Sequence, residues 1–372
     1  MLYMPVILLF YHENNFKNTE FITLHAIYSI VIAVMEIPSG YLADRWGRKH
    51  SLMIGTAFGF IGFGSYSLSY GLFGFILAEI LLGLGQSFIS GSDAAMIYDT
   101  LLEQGKENDY VKYEGRVTSI GNFSEAFAGL AVSIIVFNVI RYYYYVQTVF
   151  ALFAFLASFF LVEPTVHKQI FDKSFKNMFN IIRYSIKENV SLRYYLIFSS
   201  IIGFASLTMA WFAQIIFFEV CLPQHFYGYA WTILNITVGL GSMSSRFIDR
   251  RFSRKVVILY LAISLSLGFA IMGICMTLWG LIILSLLFFV RGTAHPILKK
   301  YIHQHTDSSQ RATVLSIRSL LIRISFFTLA PLIAFVSDKI NISLALILAA
   351  IPLFVAGIML SLLILKDERQ NI

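Results

Sequence analysis

The stretch GYLADRWGRK, Gly40 to Lys49, separates two apolar runs at residues 20–42 and 51–70. Its two glycines allow two helix ends to approach closely and the chain to reverse within a few residues. Its three basic side chains are of the kind that hold a short loop at the anionic cytoplasmic face of a membrane. The stretch therefore predicts a tight cytoplasmic loop between two membrane-spanning helices.

The composition of the whole chain supports the same interpretation. Hydrophobic residues make up 58% of the 372 residues, charged residues 13%, and the mean hydropathy is +0.73. Soluble proteins have about 45–50% apolar residues and about 25% charged residues. A soluble chain of this size would lack the polar surface to cover its outside. The net charge of +7 is explained by basic cytoplasmic loops, so we expect an integral membrane protein with no nucleic-acid partner.

Apolar runs of about the length that crosses a bilayer recur along the whole chain. A shorter run at residues 1–11 is followed by longer ones at 20–42, 51–70, 73–101, 117–138, 143–162, 195–219, 227–248, 256–277, 279–298, 312–336 and 341–365. The prediction is an all-α membrane protein with twelve transmembrane helices, the first of them truncated.

Lysine and arginine residues predict the orientation of these helices. Of 28 such residues, Lys17, Arg141 and Lys339 lie on one side, three more lie inside apolar runs, and the other 22 lie on the opposite side. We therefore expect a multi-pass protein of the cytoplasmic (inner) membrane of a bacterium, with the C-terminus in the cytoplasm.

The sequence repeats internally. The loop at 40–49 has a degraded copy, SRFIDRRFSRK, at 245–255, and GRVT at 115–118 has a copy, QRAT, at 310–313. Both pairs of similar segments are explained if the chain contains two copies of a six-helix unit.

The repeat predicts an N-terminal six-helix bundle at 1–163, a cytoplasmic amphipathic linker at 164–193 and a C-terminal six-helix bundle at 194–372. By this symmetry the first helix lacks about eleven residues. We therefore expect either a start upstream of Met1 or a first helix that is a functional stub.

GYLADRWGRK resembles the cytoplasmic loop signature G-x-L-a-D-r-x-G-r-k of the major facilitator superfamily, and it lies between the second and third spans, as that family requires. EIPSG at 36–40, SGSDAAMIYD at 90–99 and RATVLSI at 311–317 look like the drug/proton-antiporter-like branch. The resemblance covers the chain except its short start. It implies two pseudo-symmetric six-helix bundles that give alternating access to a substrate.

The resemblance also implies a cytoplasmic gate, in which Asp44 latches the two halves together. The second copy keeps Asp249 and Arg250 but lacks both glycines, so a weaker latch is expected there. The gate residues so implied are Gly40, Asp44, Arg45, Gly47, Arg48, Lys49, Asp249 and Arg250.

Two features depart from the antiporter pattern. The fifth span, SEAFAGLAVS at 124–133, lacks the Gly-Pro motif of many antiporters, and Glu79 takes the position of an arginine in the fourth-span motif. Both departures weaken the case for drug efflux and leave the transporter class unaffected.

Charged residues within the membrane are functional candidates, because each costs roughly 2.5–3.5 kcal/mol at mid-membrane. Glu79, Gln86 and Asp93 recur at seven-residue intervals, which places them within about 40° of one another on one helix. A carboxylate whose solvation and ion pairing change during transport can take up and release a proton. The proton-coupling candidates are Glu36, Asp93 and Glu125.

The C-terminal half carries buried bases instead. Arg318 and Arg323 are five residues apart, or about 140° in direction, so at most one of them is expected to point straight at a cavity. Static ion pairs between the acidic and basic halves are an alternative reading of all these charges. The candidates for lining a substrate cavity are Glu79, Gln86, Asn122, Trp211, Gln214, Arg291, His295, Arg318 and Arg323.

The leading hypothesis is a secondary active transporter, proton-coupled and moving a small molecule, with efflux of drug-like or amphipathic metabolites as one reading. Arg291 and His295 suit the alternative of an anionic or zwitterionic substrate, such as a siderophore or a peptide-like compound. A transport-inactive relative that acts as a sensor or scaffold is the third hypothesis. No nucleotide-binding G-x-x-x-x-G-K-[ST], H-E-x-x-H or G-x-S-x-G motif occurs, so we expect no enzyme activity, no metal and no cofactor. We also expect a functional monomer.

Overall fold

The computed structural model describes residues 1–90, 92–106, 110–135, 139–164, 183–306 and 311–370, and these form α-helices and short connections without a β-strand. The helices are α1 Ile7–Glu13, α2 Asn18–Trp46, α3 Arg48–Leu68, α4 Leu72–Ile89, α5 Ser92–Glu103, α6 Tyr110–Ile134, α7 Arg141–Ser158, α8 Val190–Glu219, α9 Tyr227–Arg251, α10 Arg254–Ile274, α11 Gly280–Gln304, α12 Arg311–Lys339 and α13 Ile342–Gln370.

Each predicted apolar run contains a helix, but the fourth run contains two. The helix that begins at Leu72 ends at Ile89, Ser90 has an extended ψ of 122°, and a new helix begins at Ser92. The predicted span at 73–101 therefore consists of two helices, which together form one candidate membrane span. Glu79 and Gln86 lie on α4 and Asp93 lies in the first turn of α5, so helical periodicity alone does not place all three on one face.

Eight of the described helical segments are long and apolar enough to cross a bilayer. They are Asn18–Glu36, Arg48–Leu68, Leu72–Glu103, Val190–Glu219, Arg254–Ile274, Gly280–Gln304, Thr313–Lys339 and Ile342–Asp367. The other helices are shorter or more polar, as in α9 with its Ser242, Ser244 and Ser245.

Contacts divide the chain into two compact units. Unit 1 comprises residues 1–16, 23–172 and 224–229, and unit 2 comprises 17–22, 173–223 and 230–372. Most of the predicted linker at 164–193 lies outside the described residues, and its described end contains one turn of π-helix at Tyr184–Glu188.

Unit 1 is held together by close packing of α3 against α4. A Cβ at Gly55 would lie 2.9 Å from the carbonyl oxygen of Gly85, and a Cβ at Gly85 would lie 2.7 Å from that of Gly55. Only glycine allows two helix backbones to approach so closely, and such contacts drive helix association in lipid.

Unit 2 is built around α8, of which 19 of 30 residues are buried. Helices α11, α12 and α13 pack on α8, and α10 packs on α13. Glycines again set the closest approach, because a Cβ at Gly292 of α11 would lie 2.1 Å from the carbonyl oxygen of Val238 of α9.

Candidate substrate and proton sites

A cavity of about 620 Å³ lies within unit 2. Its wall is formed by α8, α9, α11 and α12, and its charged lining residues are all basic. They are Arg291, His295, Lys299, Arg318 and Arg323.

Helical spacing accounts for three of these bases. Arg291, His295 and Lys299 are successive fourth residues of α11, and residues four apart on a helix share one face. His295 and Lys299 are exposed while Arg291 is partly buried, so the row of basic side chains runs from solvent into the cavity. A guanidinium to ring-centroid distance of 5.6 Å places Arg291 over Phe288.

The other two bases come from α12. Arg318 is only 9% exposed and its Nε donates a hydrogen bond to the Oγ of Ser199 on α8. The Nε of Arg323 lies 3.4 Å from the Oγ of Ser319. Both arginines line the cavity, and the expectation that at most one of them points straight at it stays a prediction. Long arginine side chains can reach one space from helix directions that diverge.

The cavity lacks negative charge among the described residues. No carboxylate lines it, and no described carboxylate of unit 2 forms an ion pair with Arg291, His295, Lys299 or Arg318. A desolvated positive charge without a partner costs several kcal/mol, and clefts lined by one sign of charge concentrate counter-ions. The cavity is therefore suited to an anionic ligand.

A second polar cluster is buried in unit 1 and is centred on Glu79, which is 2% exposed. Its Oε1 lies 2.7 Å from Nδ1 of His25, and it accepts hydrogen bonds from Tyr66 Oη at 2.5 Å and Tyr11 Oη at 3.2 Å. The two tyrosine hydroxyls are 2.6 Å apart. Four helices, α1 to α4, each contribute one side chain to this cluster.

Aromatic rings enclose the cluster and exclude water. Phe10 stacks on Phe75 at 5.5 Å, and the ring of Tyr144 lies 5.4 Å from that of Tyr66. Arg141 closes one end, since its guanidinium donates to the carbonyl oxygens of Tyr66, Ser67 and Ser69 at the end of α3.

Near the loop at Gly40–Lys49, the structure shows a contact with Glu163 that the sequence did not predict. The Oε1 and Oε2 of Glu163 accept hydrogen bonds from the backbone amides of Arg48 and Lys49, at 2.7 and 2.6 Å. Gly47, with φ of +100°, precedes these amides. The carboxylate therefore caps the N-terminus of α3, where the helix dipole favours negative charge.

The basic residues of the loop differ in their surroundings. Arg48 is partly buried with its Nε 3.8 Å from Oδ2 of Asp99 on α5, whereas Arg45 is exposed. Nothing lies within 4 Å of a Cβ built on Gly40. The side chain of Asp44, the predicted latch, lies outside the described residues.

The second copy of the loop makes contacts within unit 2. Asp249 accepts hydrogen bonds from Lys300 Nζ at 2.5 Å and Tyr301 Oη at 2.9 Å, both on α11. Arg250 is exposed. In the described part of unit 2, Asp249 therefore ties α9 to α11.

The three acids predicted to carry protons are not gathered into one cluster. Glu36 is partly buried on α2. Asp93 is exposed, and its Oδ1 accepts from the adjacent amide of Ala94 at 2.7 Å. Glu125 is partly exposed on α6, 3.4 Å from the terminal amine of Met1.

The remaining cavity candidates are not among the residues that line the basic cavity. Gln86 is partly buried on α4, and the side chain of Asn122 lies outside the described residues. The ring of Trp211 lies 6.2 Å from that of Phe21. Gln214 is 1% exposed, and neither atom of its amide has a hydrogen-bond partner among the described residues.

The residues missed by sequence reasoning gave little signal. Lys299 continues the four-residue spacing of Arg291 and His295 and could have been found. Tyr11 and Tyr66 are two of 20 tyrosines, and only the tertiary structure brings them to Glu79.

A bundle of apolar helices that encloses a charged cavity and a buried polar cluster is the architecture of a multi-pass membrane transporter. Residues 1–298 match the sequence profile described as Major Facilitator Superfamily. This chain belongs to the Major Facilitator Superfamily, which is a family of transporters and not of enzymes. Assignment to the drug/proton-antiporter-like branch stays a prediction.

Solved structures share the fold at low sequence identity. The nucleoside transporter NupG superposes with a TM-score of 0.80 at 17% identity, covering 98% of this chain and 93% of that one. The inward open form of the xylose transporter XylE from E. coli gives a TM-score of 0.66 at 14% identity, with coverages of 92% and 85%. A POT family transporter in complex with a thioalcohol conjugated peptide gives a TM-score of 0.68 at 13% identity, and the match covers 99% of this chain and 93% of that one.

A curated relative is similar in sequence over part of its length. An uncharacterized transporter of Buchnera aphidicola subsp. Schizaphis graminum (strain Sg) is 28% identical over 185 residues, which are 46% of this chain and 44% of that protein. The matched region thus spans less than half of the relative.

Proposed function

We propose that this protein is a proton-coupled secondary active transporter whose substrate is a small organic anion or a zwitterion with an anionic group. The observation that carries the proposal is the cavity of unit 2, with five basic lining residues and no carboxylate among the described residues. A volume of about 620 Å³ is in the range of pockets that hold a small organic molecule.

The cavity favours an anion over a cationic drug. A cationic ligand there would meet the charge of the buried Arg318 without a compensating acid from the cavity wall, and like-charge juxtaposition costs several kcal/mol. An anion would instead receive charge-assisted hydrogen bonds, which are about twice as strong as neutral ones.

The energy source is proposed to be the proton gradient. No nucleotide-binding loop occurs in the sequence, and acidic side chains lie on the helices of unit 1. Glu36, Asp93 and Glu125 remain the carriers proposed from the sequence. The superfamily fold supports alternating access as the mechanism, and the cytoplasmic loop supports placement in a cytoplasmic membrane.

Thermal unfolding of the purified protein with a panel of ligands tests the substrate class. A ligand that binds the native state at 100 times its Kd stabilises it by about 2.7 kcal/mol. Carboxylates, phosphorylated sugars and dipeptides form the anionic and zwitterionic panel, with tetraphenylphosphonium as the cationic contrast. We expect an anion to stabilise the protein and added salt to reduce that stabilisation. Stabilisation by the cation alone would overturn the proposal.

Uptake into proteoliposomes then tests coupling. The anion identified by the screen should accumulate when a pH gradient is imposed and should stop accumulating when an ionophore collapses it. Accumulation that is indifferent to the pH gradient would contradict proton coupling, and exchange without any imposed gradient would still support anion transport. A protein that binds the anion but never exchanges it would favour the transport-inactive alternative.

A further inference from the structure

The buried cluster around Glu79 contains side chains that can accommodate a change in the charge of its carboxylate. Among the described acids predicted to lie within the membrane, Glu79 is the most buried, and a histidine lies against it. A carboxylate in an apolar bundle is expensive unless it is paired and hydrogen-bonded. Histidine is the side chain whose charge most readily changes near neutral pH.

We infer that Glu79 and His25 form a buried proton-binding pair, distinct from the acids proposed on sequence grounds, and that this pair binds the proton used for coupling. The inference rests on the proposed proton coupling and names the groups that hold the proton.

Geometry links the proton to helix packing. His25, Tyr66 and Tyr11 all approach the same oxygen, Oε1 of Glu79, as hydrogen-bond donors. A carboxylate accepts from such donors, but a protonated carboxyl group carries its own hydrogen. A proton that bonds to Oε1 must displace or reorient one of those donors, and a proton that bonds to Oε2 removes the negative charge that strengthens all three hydrogen bonds. Because each donor belongs to a different helix, proton binding changes a contact among α1, α2, α3 and α4.

Other titratable side chains surround the pair and contribute to its electrostatic environment. Tyr11 of α1 and Tyr66 of α3 contact Glu79 directly, while Tyr3 and Tyr144 of α7 are close enough to interact with it electrostatically. Arg141, at the start of α7, places its guanidinium 5.0 Å from the centroid of Phe10. His25 is the basic side chain that contacts Glu79 among the described residues.

Infrared difference spectroscopy of the protein in nanodiscs, between low and high pH and without any substrate, tests the inference. Wild type should show the C=O band of a carboxylic acid that forms as the pH falls, and Glu79→Gln should lose it. Glu219→Gln removes an exposed carboxylate at the end of α8 and should keep it. A pH-dependent band of unchanged size and midpoint in a folded Glu79→Gln variant would overturn the inference.

Tyr66→Phe provides a second measurement that keeps the acid in place. Loss of one hydrogen bond to a charged group is worth about 1.5–3 kcal/mol, so the proton affinity read from the same band should change about tenfold or more. An unchanged midpoint in both Tyr66→Phe and His25→Gln would also overturn the inference. Neither measurement uses the anion, so failure of the proposed substrate class and failure of this site are distinguishable.

Discussion

The carboxylate of Glu163 occupies the space that a side chain at Gly47 would need. A Cβ built on Gly47 would lie 2.8 Å from Cδ of Glu163, while the same carboxylate holds the two amides that follow the glycine. The φ of +100° favours glycine at this position, and the Glu163 carboxylate of the chain beyond α7 would have to move to admit a side chain.

Gly47→Ala should therefore destabilise the protein by about 1–3 kcal/mol, because both the backbone conformation and the Glu163 contact disfavour a side chain. Gly40→Ala is the matched control, since nothing lies within 4 Å of its Cβ and it sits inside α2. There alanine should be neutral or stabilising by up to about 1 kcal/mol. Thermal unfolding in detergent measures both. Equal effects of the two substitutions would contradict this account.

A double variant separates strain from steric conflict at the same position. Glu163→Ala should cost about 1–2 kcal/mol through loss of the cap. If the side chain at 47 conflicts with Glu163, the double variant should be more stable than the sum of the single changes predicts. Additive effects would mean that the positive φ alone disfavours alanine.

Arg318→Gln should weaken binding of the anion found by the ligand screen about 10- to 100-fold, which corresponds to one charge-assisted hydrogen bond. Arg246→Gln, an exposed change on α9 outside the cavity lining, should leave affinity unchanged. Titration calorimetry at two salt concentrations measures both. Equal losses in the two variants would indicate a nonspecific charge effect and not a cavity ligand.

The contacts of Asp249 predict unequal coupling energies. Tyr301 is 2% exposed, whereas the Lys300 side chain is 53% exposed, so water screens the lysine pair. Double-mutant cycles with Asp249→Asn should give about 1 kcal/mol with Tyr301→Phe and less with Lys300→Met. A larger coupling to Lys300 would show that the ion pair, and not the buried hydroxyl, ties α9 to α11.

Asp338 caps the first turn of α2. It accepts hydrogen bonds from the amides of Asn18 and Thr19, at 3.2 and 2.7 Å, and from the hydroxyl of Thr19 at 2.6 Å. Asp338→Ala should cost about 1 kcal/mol and speed amide exchange at residues 18–22. Asp338→Asn should have a smaller effect, because it keeps one acceptor oxygen and replaces the other with an NH2 donor. Unchanged exchange in the alanine variant would contradict this role.

Sequence reasoning succeeded where the signal was periodic or local. The helical runs, the chain reversal near Gly47 and the α11 pair of Arg291 and His295 follow from hydropathy, charge and spacing. The loop itself is shorter than the predicted 40–49, because residues 40–46 continue α2 and α3 begins at Arg48. Hydropathy does not show that α4 ends at Ile89 and α5 begins at Ser92, because the apolar run continues across that break. Nor does it show that Arg318 and Arg323 line the same cavity.

The sequence by itself determined that this chain is a helical membrane protein, because the hydrophobic effect acts on composition and order alone, and its internal repeat predicts two related halves. Only the tertiary structure decided which charges meet. It placed Glu79 against His25, Glu163 against Gly47 and five bases around one cavity, since residues far apart in the chain come together only when helices pack. Acidic and basic side chains have similar hydropathy, but helix packing gives them different surroundings. Those surroundings define the proposed anion and proton sites.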